Sequence, residues 1–126
     1  MLLDLSSLYF PAVPAPMIAT AVGSVAPYNA CGQYDLGQLV QITATVTDLN
    51  GEPVAPDNNV FLVQYPDGTS DEFAANATGP GVYTADVLLP QSGYTYFRYE
   101  GSGTYIAVFD LAIQVSTSPF YPQYPG

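Results

Sequence analysis

Between residues 37 and 116, apolar side chains recur at every second position in short runs, with no stretch at the three-to-four spacing of a helix face. A chain patterned this way can bury its apolar residues only as half-buried strands, so the repeat restricts the fold to sheet. The clearest run is Gln38 to Asp48, where Val40, Ile42, Ala44 and Val46 alternate with Gln41, Thr43, Thr45 and Thr47. One face is apolar and the other rich in threonine, as β propensity favours. Further strands are expected at Val60–Tyr65, Val82–Leu89, Tyr94–Glu100 and Thr104–Val115, with a weaker, charged edge strand from Ser70 to Ala75.

Turn chemistry separates the runs. Asn50-Gly51, Pro66-Asp67-Gly68-Thr69, Gly79-Pro80-Gly81 and Gly101-Ser102-Gly103 supply proline where φ must be near −65° and glycine where it must be positive. Six or seven short strands spaced about ten residues apart predict an antiparallel β-sandwich of Ig-like type.

The flanks read differently. Residues 1–36 carry Pro11, Pro14 and Pro16 among apolar residues without a period, and residues 117–126 alternate prolines with aromatics and carry no charged side chain. Each proline fixes its own φ and holds its predecessor out of the helical region, so both flanks are expected to be extended arms. The expected organisation is an N-terminal arm (1–36), a sandwich (37–116) and a C-terminal arm (117–126). Leu2, Leu3, Leu5, Leu8, Tyr9, Phe10, Phe120, Tyr121 and Tyr124 are apolar groups that extended chain cannot bury against itself, and large exposed apolar patches mark interaction sites. They are the candidate partner-binding residues.

Composition narrows the chemistry. With 126 residues the chain has the size of a single domain. It holds one basic residue, Arg98, against eleven acidic ones and no histidine, for a net charge of −10. Without histidine there is no Ser-His-Asp or Cys-His nucleophile system and no His-ligated metal. Without lysine there is no Schiff base and no P-loop lysine. One cation cannot neutralise a run of phosphates or an anionic bilayer surface, which argues against nucleic-acid and membrane partners. Cys31 stands alone, so it can form no intramolecular disulfide, and its neighbours carry no charge to activate it. The first ten residues lack the basic region of a signal peptide, and no apolar run approaches the ~20 residues of a spanning helix.

Taken in order, Val40–Asp48, Gly51-Glu52-Pro53 with Pro56, Val60–Tyr65 leading into Pro66-Asp67-Gly68-Thr69, Gly81–Val87 and Tyr96–Gly101 resemble a short Ig-like module of the structural proteins of tailed bacteriophages. Bacterial surface and macroglobulin-type domains are similar. The resemblance covers about residues 38–116. It implies turn roles for Gly51, Gly68 and Gly81, core roles for Tyr83 and Tyr99, no catalytic residues and a scaffold or binding role in a virion.

Three other features allow different readings. Asp67, Asp71 and Glu72 make an oxygen-rich patch of the type that holds calcium, but a solvated turn accounts for them. Arg98 is expected to pair with a carboxylate or stack on Tyr94 or Tyr96. The aromatic outer face around Tyr94 and Tyr96 also allows sugar stacking. The expected function is therefore non-enzymatic and needs no cofactor: a multi-copy capsid decoration or cement protein, assembled into the virion in the host cytoplasm, that bridges major capsid protein subunits or other virion proteins through its arms. A head–tail connector or tail adaptor, and a carbohydrate-binding surface module, are the alternatives.

Overall fold

The computed structural model describes residues 15–27 and 33–117. They form two packed sheets without a helix: an all-β, Ig-like sandwich. The strands are β1 (Met17–Ile18), β2 (Thr20–Ala26), β3 (Tyr34–Asp35), β4 (Leu39–Thr47), β5 (Asn58–Gln64), β6 (Ser70–Ala74), β7 (Asn76–Gly79), β8 (Val82–Leu88), β9 (Gly93–Ser102) and β10 (Tyr105–Ser116). One sheet runs β1-β10-β9-β5-β6, with β3 also paired to β10; the other runs β2-β4-β8-β7.

The period-2 runs become strands with the expected faces inward. Val40, Ile42, Ala44 and Val46 are buried, as are Tyr83, Ala85 and Val87 facing the same way from β8. From the other sheet come Phe61, Val63, Phe97, Tyr99, Ala107, Ile113 and Val115. The turns follow their chemistry: Gly51, Gly68 and Gly81 have φ of 85°, 90° and 69°, the left-handed region that glycine enters without a Cβ penalty. At Pro66–Thr69 the Tyr65 amide donates to the Thr69 carbonyl at 2.8 Å and the Gly68 amide to the Tyr65 carbonyl at 2.9 Å, closing the β5–β6 hairpin.

The centre of the core is a matched pair of rows. Phe61, Tyr99 and Phe109 lie opposite one another across β5, β9 and β10. Tyr99 packs against Phe61 (ring centroids 5.5 Å apart), Phe109 (5.7 Å) and Tyr83 of the facing sheet (6.2 Å), offset arrangements that favour aromatic pairs. Across β8, β4 and β2 the facing row is Tyr83, Ala44 and Gly23. It tapers from large to nothing, and the vacated space above Gly23 is filled by the Phe109 ring, since a Cβ on Gly23 would lie 2.1 Å from Phe109 Cε1.

This places a correction on the expected N-terminal arm. Within residues 1–36, Met17–Ile18, Thr20–Ala26 and Tyr34–Asp35 are strands of the sandwich, and Val25 belongs to the core. β2 pairs with β4 over all seven of its residues, from Thr20↔Thr47 to Ala26↔Gln41. The prolines at 14 and 16 precede this strand and so leave its ladder intact. One polar group stands out inside: Thr95 is fully buried, and its hydroxyl has no hydrogen-bond partner among the described residues.

Candidate functional site

The outer face of the β10-β9-β5-β6 sheet carries an open groove of about 640 Å³. Register builds it. Ala112, Tyr96, Gln64 and Ser70 form one cross-strand row, and Asp110, Arg98, Leu62 and Glu72 the next. Directly opposite residues share a face, so these two rows stand side by side on the solvent side of the sheet.

Tyr96 lines the groove, and Tyr94 stands beside it on the same face of β9. Tyr94 and Tyr96 alternate outward from β9 and are 56% and 51% exposed, although aromatic side chains are more often covered. Ile106 and Val108 of β10 and Ile18 of β1 extend the exposed apolar surface along the same sheet.

Arg98 forms the polar wall. Its Nε donates to Glu100 Oε2 at 2.8 Å, and its Nη1 to both carboxylate oxygens of Asp110 at 3.0 and 2.8 Å. Glu100 lies two residues along the same strand and Asp110 directly across it, so the sheet presents both carboxylates to one guanidinium. These hydrogen bonds, to Glu100 first and then Asp110, hold the Arg98 pKa above its ordinary value. The guanidinium is fixed in place, and its Nη2 remains outside these bonds.

Asp67, Asp71 and Glu72 do not converge on one point. Among the described residues no three His, Cys, Asp or Glu side chains gather around a common point. Asp67 accepts the Thr69 hydroxyl at 2.6 Å and the Thr69 amide at 3.0 Å; the hydroxyl bond first, then the amide bond, draws its pKa below the usual value. Asp71 instead accepts the Tyr65 hydroxyl at 2.8 Å. Asp71 and Glu72 are consecutive on β6 and so point to opposite faces.

The Tyr65–Asp71 pair gives an alkaline signature. Partial burial, the hydrogen bond to Asp71 and its negative charge push the Tyr65 hydroxyl up from 10 to about 12, and burial pushes Tyr99 up as well. A raised native pKa means the folded state holds its proton more tightly than the unfolded chain. The stability these groups contribute is thus complete below pH 10 and falls as pH climbs toward 12. Urea unfolding at pH 8 and pH 11 is expected to show a lower midpoint at pH 11, with a smaller drop in Tyr65→Phe. A midpoint unchanged between the two would contradict the assignment.

The nine residues singled out in the arms, Leu2, Leu3, Leu5, Leu8, Tyr9, Phe10, Phe120, Tyr121 and Tyr124, lie outside the described residues, as does Cys31. What the structure does place is the pair of points from which the arms continue. β1 runs parallel to β10 with Met17 opposite Tyr105, at the start of β10, while Ser116 closes its far end. β10 has 12 residues and spans roughly 36 Å at about 3.3 Å per step. The chain therefore enters and leaves the sandwich at opposite poles. A second, smaller depression, with Pro16, Met17, Ile18, Leu49 and Tyr105 alongside Asp48 and Asn50, sits at the entry pole.

No protein-family model matches the sequence, and no curated protein matches it. Solved structures do. A DUF4785 family protein from Legionella pneumophila aligns at a TM-score of 0.60 and 12% identity over 77% of this chain, which spans only 28% of that protein. The Lin-41 filamin domain aligns at a TM-score of 0.57 and 13% identity over 76% of this chain and 93% of the domain. At such identities the likeness concerns the fold: this is an Ig-like sandwich of the filamin-like kind.

Proposed function

We propose that this protein is a non-enzymatic structural component of a virion, a capsid decoration or cement protein that bridges neighbouring capsid subunits through its two terminal arms. The observation that supports the reading is the exit of the arms from opposite poles of a rigid sandwich, a body length of roughly 36 Å apart. A protein whose attachment segments leave side by side can grip one neighbour; this arrangement reaches two. Leu2, Leu5 and Leu8 at one end, and Phe120, Tyr121 and Tyr124 at the other, supply the apolar anchors. Repetition around a shell turns individually weak grips into firm attachment. With one cation in the whole chain, the partner surface is a protein and not a nucleic acid.

The direct test substitutes the anchors. Leu5→Asp with Leu8→Asp, and separately Phe120→Ser with Tyr121→Ser, are each expected to weaken binding to particles of the major capsid protein by about tenfold or more, as loss of buried interface anchors does. The thermal midpoint of the sandwich should not move. Capsid binding at the native level in both variants would contradict the reading.

Carbohydrate binding is the second reading, and the observation favouring it is the outer-face groove, where Tyr94 and Tyr96 stand beside the fixed charges of Arg98 and Asp110. Under that reading, glycan binding would survive both arm substitutions.

A further inference from the structure

The C-terminal flank has a periodicity of its own. Pro119, Pro122 and Pro125 recur every third residue. A polyproline II helix has three residues per turn, so in that conformation the prolines align on one edge, Phe120 and Gln123 on a second, and Tyr121 and Tyr124 on a third. Such a segment is already extended before it binds and leaves its backbone carbonyls without internal partners. Its natural receptor is an aromatic-lined groove that stacks on the rings and donates hydrogen bonds to the carbonyls.

The outer-face groove meets that description. Tyr96 provides an exposed ring in the groove and Tyr94 a second one beside it on the same face of β9, Leu62 and Ala112 an apolar floor, and Arg98 a donor held by its two carboxylates. The segment carries no charged side chain, so it meets no repulsion from the acidic surface.

The way the chain leaves β10 decides whose groove is filled. Val115 and Ser116 are held to β3 by pairing with Tyr34 and Asp35, and the Leu36 amide donates to the Ser116 carbonyl at 3.0 Å. From Ala112 to Ser116, β10 runs away from its own groove, and a nine-residue segment in the polyproline II conformation is about 28 Å long, enough to reach the groove of a neighbour.

We propose that residues 118–126 of one copy dock in the β9–β10–β5 groove of a second copy. The inference rests on the assembly reading above and gives the C-terminal arm a neighbouring copy as its partner on the shell, so that its loss weakens capsid binding through loss of the copy-to-copy contact. The interface is heterologous: each copy offers a groove to one neighbour and a tail to another, so copies join head to tail into rings or open chains.

Sedimentation equilibrium of the full chain across a concentration series tests this with two surface variants. One removes the groove rings (Tyr94→Ala with Tyr96→Ala), and the other removes the tail edges (Pro122→Ala with Tyr121→Ala and Tyr124→Ala). Circular dichroism checks that each retains its sheet. Wild type is expected to form a growing series of oligomers, and each variant alone to lose about tenfold or more in association constant. An equal mixture of the two should recover two-copy complexes and nothing larger, because one member keeps a groove and the other a tail. A wild type that stays monomeric throughout overturns the proposal, including the case in which the groove binds a glycan. So does association that the groove variant leaves intact, or a mixture that fails to recover. Each of those results leaves the capsid-binding test of the arms standing, which fails only if the arm substitutions do not matter there.

Discussion

Tyr99→Ala is expected to destabilise the sandwich by about 3–5 kcal/mol, the range for truncating a large buried aromatic. Tyr99 is fully buried at the meeting point of both sheets, packed on Phe61 and Phe109 of its own sheet and Tyr83 of the other, and its hydroxyl donates to Asn59 Oδ1. Removing the ring opens a cavity against three aromatic faces that β strands cannot collapse to fill. Because a domain of this size holds only about 5–15 kcal/mol in all, the variant should melt many degrees lower or fail to fold. Tyr99→Phe isolates the hydroxyl and should cost about 1 kcal/mol, the net worth of one hydrogen bond. Urea unfolding of the pair measures both, and a Tyr99→Ala loss below about 1 kcal/mol would mean the core is not centred on this residue.

Gly23→Val is expected to cost about 3 kcal/mol, at the upper end of overpacking penalties. The argument is steric: a Cβ at Gly23 would lie 2.1 Å from Phe109 Cε1 and 2.2 Å from its Cζ, and the γ carbons would reach further into the ring. Phe109 cannot swing aside freely, because it stacks on Tyr99. Gly79→Ala is the matched control, since nothing lies within 4 Å of its Cβ position and its φ is not positive; it should change stability little. Shortening the obstacle with Phe109→Leu should restore part of the Gly23→Val loss. The result also discriminates between two views of the N-terminal flank. If residues 20–26 were an undocked arm, valine at 23 would be harmless.

That second view is what the sequence alone suggests, and the reason is instructive. β4 is legible because its inward residues are Val40, Ile42, Ala44 and Val46, large enough to stand out against the threonines between them. In β2 the inward residues are Ala21, Gly23 and Val25, kept small by the aromatic row of the opposite sheet, so the alternation is present in space and nearly invisible in hydropathy. The constraint lies in a residue 86 positions away, Phe109, and no local pattern carries it. β1 and β3 are two-residue pairings made by backbone, and β7, with all four residues exposed, has no apolar face to betray it.

The aromatic outer face is legible in the sequence, but the groove in it is not. Outward alternation of Tyr94, Tyr96 and Arg98 follows from the strand period, and a lone arginine there points to an ion pair or to stacking on Tyr94 or Tyr96, of which the structure shows the ion pair. That Asp110 flanks Arg98 depends on the β9–β10 register, set by their connecting turn, and that Leu62 does depends on the long-range β5–β9 register, neither of which composition carries. The poles from which the arms leave depend likewise on β1 running parallel to β10, a long-range pairing of two residues.

The central claim is that the arms attach this protein to the capsid. Its most direct test is co-sedimentation of the full chain and of residues 15–117 with particles of the major capsid protein, each first shown by circular dichroism to hold its sheet. The account predicts stoichiometric binding by the full chain and none by the folded 15–117 piece. Equal binding by both, or binding by neither, would contradict it.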